Sequence, residues 1–145
     1  MINIKARGIN SVIRILDDVN DEVSDHRSFF RQEAVPAVRR EVRKIFNTRG
    51  YGRWTPLSRL TILRKGHDRQ LIDTRRYFRD ATQTPRLTIS RSRLVYGVDT
   101  PYADYHEEGT RYIPARPVFF LLAQNVQFQR RLVRRRERRI AERTR

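Results

Sequence analysis

LTISRSRLVYGV, residues 87–98, alternates at a step of two: Leu87 and Ile89, a polar turn at Arg91 to Arg93, then Leu94, Tyr96 and Val98. Successive side chains of a strand point to opposite faces, so β-branched and aromatic residues at alternate positions around a polar break predict a β-hairpin. Upstream, Ile2 and Ile4 alternate with Asn3 and Lys5 ahead of Gly8, which predicts a short N-terminal strand. The rest reads at helical spacing. Val12, Ile13, Leu16, Val19 and Val23 recur at three and four residue steps from Ile9 onward, and Phe29, Phe30, Ala34, Val38, Val42, Ile45 and Phe46 do the same in a second stretch. Pro36 falls inside that second pattern, where it cannot donate a helical hydrogen bond; it kinks the helix or opens a new one.

Residues 47–56 carry Gly50, Gly52 and Pro56 around the single tryptophan, Trp54, and read as a loop whose tryptophan needs a pocket. Leu57 to Arg64 predicts a helical turn or two, broken at Gly66 to Asp68. Leu71 to Thr82 predicts another short helix, with Leu71, Ile72 and Phe78 available for burial. From Pro117, the residues Val118, Leu121, Leu122, Val126, Phe128, Leu132 and Val133 support a last helix, almost wholly charged after Gln129. The sum is an α+β chain: a small, mainly antiparallel sheet packed with amphipathic helices on one face, ending in a long basic helix. The expected organisation is a single domain over residues 1–129 and a basic helical extension over 130–145.

Composition narrows the function. The chain has 145 residues, enough for one core. With 38% apolar and 33% charged residues that core is thin, so neighbouring subunits are expected to contribute stability. The net charge is +16, and 29 of the 32 cations are arginines. Arginine presents a planar, weakly hydrated fork suited to carboxylates and phosphates, so a negative partner is expected. Cysteine is absent, which excludes disulfides, thiolate metal sites and thiol catalysis. No apolar run approaches a bilayer-spanning length, and Asp17, Asp18, Asp21 and Glu22 occupy the stretch where a signal peptide would be apolar; no membrane contact and a cytoplasmic site of synthesis are expected.

Catalytic, cofactor and metal sites are not expected. His26, His67 and His106 are scattered, and the nearest cluster, Asp104, His106, Glu107 and Glu108, sits at adjacent positions that do not share a helix face. The six glycines build no phosphate cradle. Residues 130–145 contain nine arginines against Glu137 and Glu142, hence +7 of the +16. Such a run is either a solvated tail or a contact surface, for which Arg130, Arg131, Arg134, Arg135, Arg138 and Arg139 are the candidates. Arginines on all faces would meet DNA phosphates without base selectivity, and an acidic protein surface is an equally good target.

The segment 95–121 is the most structured in intent. Pro101 and Gly109 bracket a short aromatic helix or turn in which Tyr102, Ala103 and His106 face the core. Pro114 and Pro117 hold the backbone around Ala115 extended and are expected to leave Arg116 projecting ahead of the last helix. A rigid loop capping the sheet and an interaction loop fit these residues equally.

The order TRGYGRWTPLSRLTILRKG, LIDTRRYFRDAT and VYGVDTPYADYHEEGTRYIPARPVFF resembles the virion morphogenesis, or tail completion, family of tailed bacteriophages, Mu-like phages included. That family carries a G.W.PLS..T segment, an L..T..L motif, a VG....YA..H..G strand and turn, and a closing IPARPF in this order. The resemblance covers roughly Phe46 to Phe120, about half the chain. It rests on Gly52, Trp54, Pro56, Leu57, Thr61, Leu71, Gly97, Tyr102, Ala103, His106, Gly109, Ile113, Pro114, Ala115, Arg116 and Pro117. Arg75 stands where the family usually has glycine, Phe78 where it has leucine, and the spacing from Gly109 to Ile113 is short.

The resemblance implies a non-enzymatic virion subunit of the neck or head-proximal tail end. It would work as a sixfold or twelvefold homo-oligomeric ring beside other neck and tail proteins, with the motif residues at subunit contacts and packaged DNA within reach. The alternative, carried by charge alone, is a nonspecific nucleic-acid-binding protein.

Overall fold

Four strands form one antiparallel sheet in the order β1-β2-β4-β3 in a computed structural model that describes the backbone of residues 2–7, 12–17, 25–71 and 75–143, with side chains over 25–71 and 75–142. β1 (Ile2–Arg7) pairs with β2 (Val12–Asp17), with Ile4 opposite Ile15. β2 also pairs with β4 (Arg93–Gly97), Ile13 opposite Tyr96, and β4 closes the predicted hairpin with β3 (Arg86–Ile89). The sheet and its helices make the fold α+β, as the hairpin pattern implied.

One element changes type. The helix expected from Ile9 is a strand over Val12–Asp17; Val19 and Val23 lie outside the described residues. Its β-branched residues, Val12, Ile13 and Ile15, lose rotamer freedom in a helix, and here both strand edges are hydrogen-bonded, to β1 and to β4. Short apolar runs fit both periods, and the neighbouring strands decide between them.

The second helical pattern is observed as α1 (Arg27–Phe29), a π-helical turn (Phe30–Ala34) and α2 (Val35–Asn47). Pro36 restarts the helix at the second position of α2, just after the wide turn in which the Val35 N–H donates to the Phe30 carbonyl. An i→i+5 turn ahead of a proline relaxes the clash its ring makes with the preceding turn. Phe29, Phe30, Ala34, Val38, Val42, Ile45 and Phe46 are all buried, as their spacing predicts.

After α2 the chain reverses through a left-handed turn: Arg49, Gly50, Tyr51 and Gly52 have φ of 54°, 66°, 56° and 78°. α3 (Arg59–Lys65) starts where Ser58 caps it, the Thr61 N–H donating to Ser58 Oγ at 3.2 Å, and ends at left-handed Gly66. α4 (Arg76–Thr82) begins five residues later than predicted, because Leu71 (φ 60°) and Arg75 (φ 58°) are left-handed and cannot continue a right-handed helix. Leu71 and Phe78 are half-buried, Ile72 lies outside the described residues, and Tyr77 supplies the buried ring.

α5 (Ala103–Glu108) follows β4, and the predicted last helix is two, α6 (Phe119–Gln124) and α7 (Val126–Arg143). Asn125 makes the break: its backbone is extended and its Oδ1 accepts the Phe128 N–H at 2.9 Å, capping α7. α6 packs on β1 and β2, α7 on β1, and α2 on α4 and α6. The core between them is closed by Leu94 and Tyr96 from β4 and by Val118, Phe119 and Leu122. The boundary expected at residue 129 falls inside α7, where Phe128 and Leu132 are 2% and 1% exposed. The first half of the basic helix is therefore part of the core rather than an extension from it.

Candidate functional site

The left-handed turn delivers Trp54 into the interior. Gly50 has no side chain to obstruct it: a Cβ there would lie 2.3 Å from the indole. The ring meets Phe46 edge-on at 5.9 Å, and its Nε1 donates to the Pro117 carbonyl at 2.9 Å. The pocket expected for the tryptophan is thus made by the end of the IPARP segment.

Arg116 completes the same junction, and its expected projection is corrected: it is 7% exposed and turned inward. Its Nε and Nη2 donate to the Thr55 carbonyl at 3.0 and 2.9 Å, and Nη2 reaches the Pro56 carbonyl at 3.5 Å. The cause is the loop, whose Arg116 N–H donates to the His106 carbonyl at 2.7 Å, so that α5 holds the backbone and the guanidinium folds back. Gly109 permits this approach, since a Cβ there would meet the Ala115 nitrogen at 2.8 Å. Pro114 and Ala115 are themselves exposed, as are Gly52 and Pro56.

Glu107, which its sequence neighbours offer only as part of a poor metal cluster, organises the junction. Its Oε1 accepts the N–H groups of Val118 (2.8 Å) and Phe119 (2.9 Å) and the Tyr77 hydroxyl (3.2 Å), and Oε2 accepts Phe120 N–H (3.3 Å). One carboxylate from α5 therefore caps α6 at a distance, satisfying donors that α6 cannot pair itself. Burial raises its pKa, opposed by those backbone bonds. The available signal is its spacing: Glu107 lies four residues after Ala103, the buried residue of α5, and so on the same side of that helix. Beside it, His106 stacks on Tyr77 (6.0 Å, 13°) and meets Tyr102 edge-on. Its pKa is lowered by burial, and further by Arg116 and Lys65, so the ring stays neutral at neutral pH.

Of these residues Tyr102, His106 and Arg116 border a cleft of 610 Å³. Its apolar lining is Leu57, Leu71 and Tyr102, and its polar lining is Lys65, Arg76, Arg79, Arg116 and His106. Five of the sixteen motif residues, Leu57, Leu71, Tyr102, His106 and Arg116, thus come together at one place, beside three cations that sequence spacing did not single out: Lys65, Arg76 and Arg79.

The arginines of α7 divide by face. Arg131, Arg135 and Arg139, at four-residue steps, turn onto the first helices: Arg131 pairs with Glu41 (3.3 Å), and Arg135 and Arg139 with Glu33 (3.6 and 3.9 Å). Arg139 also donates to Ser28 and Gln32. Glu41 is 7% exposed and additionally accepts from Tyr51 (2.6 Å) and Asn125 (3.2 Å), which ties the left-handed turn and the α6–α7 break to α2. Arg136 is buried. Arg130, Arg134 and Arg138 form the outward stripe, exposed and with no carboxylate within ion-pair distance among the described residues. The expected contact set is therefore three outward residues and three that bind the chain's own helices.

Among the described residues no group of three or more acidic or histidine side chains is gathered as a metal ion would require, and no helix is long and apolar enough to cross a membrane. Compared with known protein families, curated proteins and solved structures, the chain matches none.

Proposed function

We propose that this chain is a structural virion subunit of a tailed phage, which completes the head-proximal end of the tail and joins tail to head, working as a ring beside other neck and tail proteins. The observation that carries the reading is the junction of Trp54 and Arg116 with Pro117 and Thr55. Two of the four motif segments that carry the resemblance lie some sixty residues apart, and each satisfies the other's backbone. Motifs that serve one packed unit have a physical reason to occur together and in order, whereas unrelated matches do not. The junction is spent on packing and capping, with its titratable groups engaged by backbone and aromatic rings, which suits an assembly role better than a reaction.

A second reading, a nonspecific nucleic-acid-binding protein, is favoured by the Arg130, Arg134 and Arg138 stripe. Within a ring the same stripe would face transiting DNA or an acidic neighbour. Deleting the chain and complementing it in trans tests the proposal. Filled heads and separate tails with an uncompleted head-proximal end are expected without it, and infectious particles in its absence would overturn the reading.

A further inference from the structure

The cleft between α3, α4 and the loop before α6 has an apolar floor and a cationic lining. Lys65, Arg79 and Arg116 contribute fixed positive charge, and no carboxylate among the described residues lines it. Lys65 spends one bond on the Arg69 carbonyl at 3.3 Å and Arg116 spends its fork on Thr55; Arg79 is exposed. The floor of Leu57, Leu71 and Tyr102 is only half-buried, so the chain leaves it open to a ligand. Its 610 Å³ lies within the roughly 300–1,000 Å³ of pockets that bury a small ligand or a few side chains.

We infer that this cleft is a docking site for an acidic peptide segment of a partner protein, one that places a branched or aromatic apolar side chain on Leu57, Leu71 and Tyr102 and carboxylates against Lys65 and Arg79. Charge complementarity selects the occupant. A free inorganic anion would leave the floor uncovered, and a purely apolar segment would bury the cations without counter-charge, which costs more than the contact returns. A segment with both features uses the whole lining, since the Arg79 fork and the Lys65 ammonium each take a carboxylate while the apolar side chain covers the floor. The inference rests on the lining of the cleft and holds whether or not the chain works in a virion.

Fluorescence polarisation on the full chain tests it, with an end-blocked labelled peptide EEDLFEE and the controls QQNLFQQ and EEDGGEE. The expected result is that each control binds at least tenfold more weakly than EEDLFEE. Arg79→Glu and Lys65→Glu should each produce the same loss while retaining the cooperative thermal unfolding of a folded chain. The Arg130/Arg134/Arg138→Gln variant should retain binding, which separates this cleft from the helix stripe. Equal binding of QQNLFQQ, full binding by Arg79→Glu, no binding at millimolar peptide, or displacement by ATP at the peptide's own affinity would each overturn the inference. So would self-association of the chain that Arg79→Glu abolishes, since the cleft would then belong to a second copy.

Discussion

Trp54 Nε1 donates to the carbonyl oxygen of Pro117 at 2.9 Å, across 63 residues of sequence. Replacing Trp54 by phenylalanine keeps a ring but leaves that part-buried carbonyl without its donor, a loss of about 1–3 kcal/mol for the bond, to which lost volume adds. Gly50→Ala attacks the same junction from beneath, with a Cβ inside the indole and a left-handed backbone that itself costs about 1–2 kcal/mol. Thermal melts should rank wild type above Trp54→Phe, with Gly50→Ala at or below it. An unshifted melt for Gly50→Ala would show that the turn does not seat the tryptophan.

Arg75 offers the opposite sign. It holds φ 58° immediately before α4, a conformation that glycine adopts freely. Arg75→Gly should stabilise the chain by up to about 1 kcal/mol, less whatever flexibility it adds to the unfolded state. A clear loss of stability would mean that the side chain contributes more than its backbone costs.

Glu107 and His106 should give opposite pH dependences. Burial raises the Glu107 pKa, so between the ordinary carboxylate range and the raised value the folded chain keeps a proton that the unfolded chain has released. Its contribution to stability therefore falls as pH rises through that window. The lowered His106 pKa works the other way: below its ordinary value of 6.5 the unfolded chain takes up a proton first, so stability is lost as pH falls. Denaturant titrations across pH check both. Glu107→Gln should flatten the first slope while keeping the Oε1 acceptor, His106→Phe should flatten the second, and Glu107→Ala should cost about 2–4 kcal/mol by orphaning buried N–H groups.

Much of this was legible in the chain. The hairpin, the buried set from Phe29 to Phe46 and the helical turns expected over Leu57 to Arg64, found as α3, follow from local periodicity and turn chemistry. What was not legible depends on distant partners. Residues 12–17 become a strand because β1 and β4 lie on either side. Arg131 turns inward because Glu41, ninety residues away, waits in the core. Arg116 points in rather than out because its acceptor, the Thr55 carbonyl, belongs to backbone, which leaves no trace in residue identity. Only geometry assigns the motif residues to packing, capping or cleft.

The division of α7 decides what a truncation tests. Removing residues 130–145 takes away Leu132, which is 1% exposed, along with the Glu41 and Glu33 ion pairs, so the fold should lose about 2–5 kcal/mol from the core alone. The clean variant is Arg130/Arg134/Arg138→Gln, which should melt as wild type does. Where duplex DNA is bound, three phosphate contacts give a log-log salt slope near about −2.7, and the triple variant should abolish it. A slope twice as steep would bring the inward arginines into the contact.

The central claim, a ring subunit between head and tail, is tested most directly by imaging the neck of intact particles at side-chain resolution. The account predicts density for repeated copies of this fold at the head-proximal tail end, with the Trp54–Pro117 junction formed in every copy. Complete, infectious particles whose neck holds no copy of the chain would contradict it.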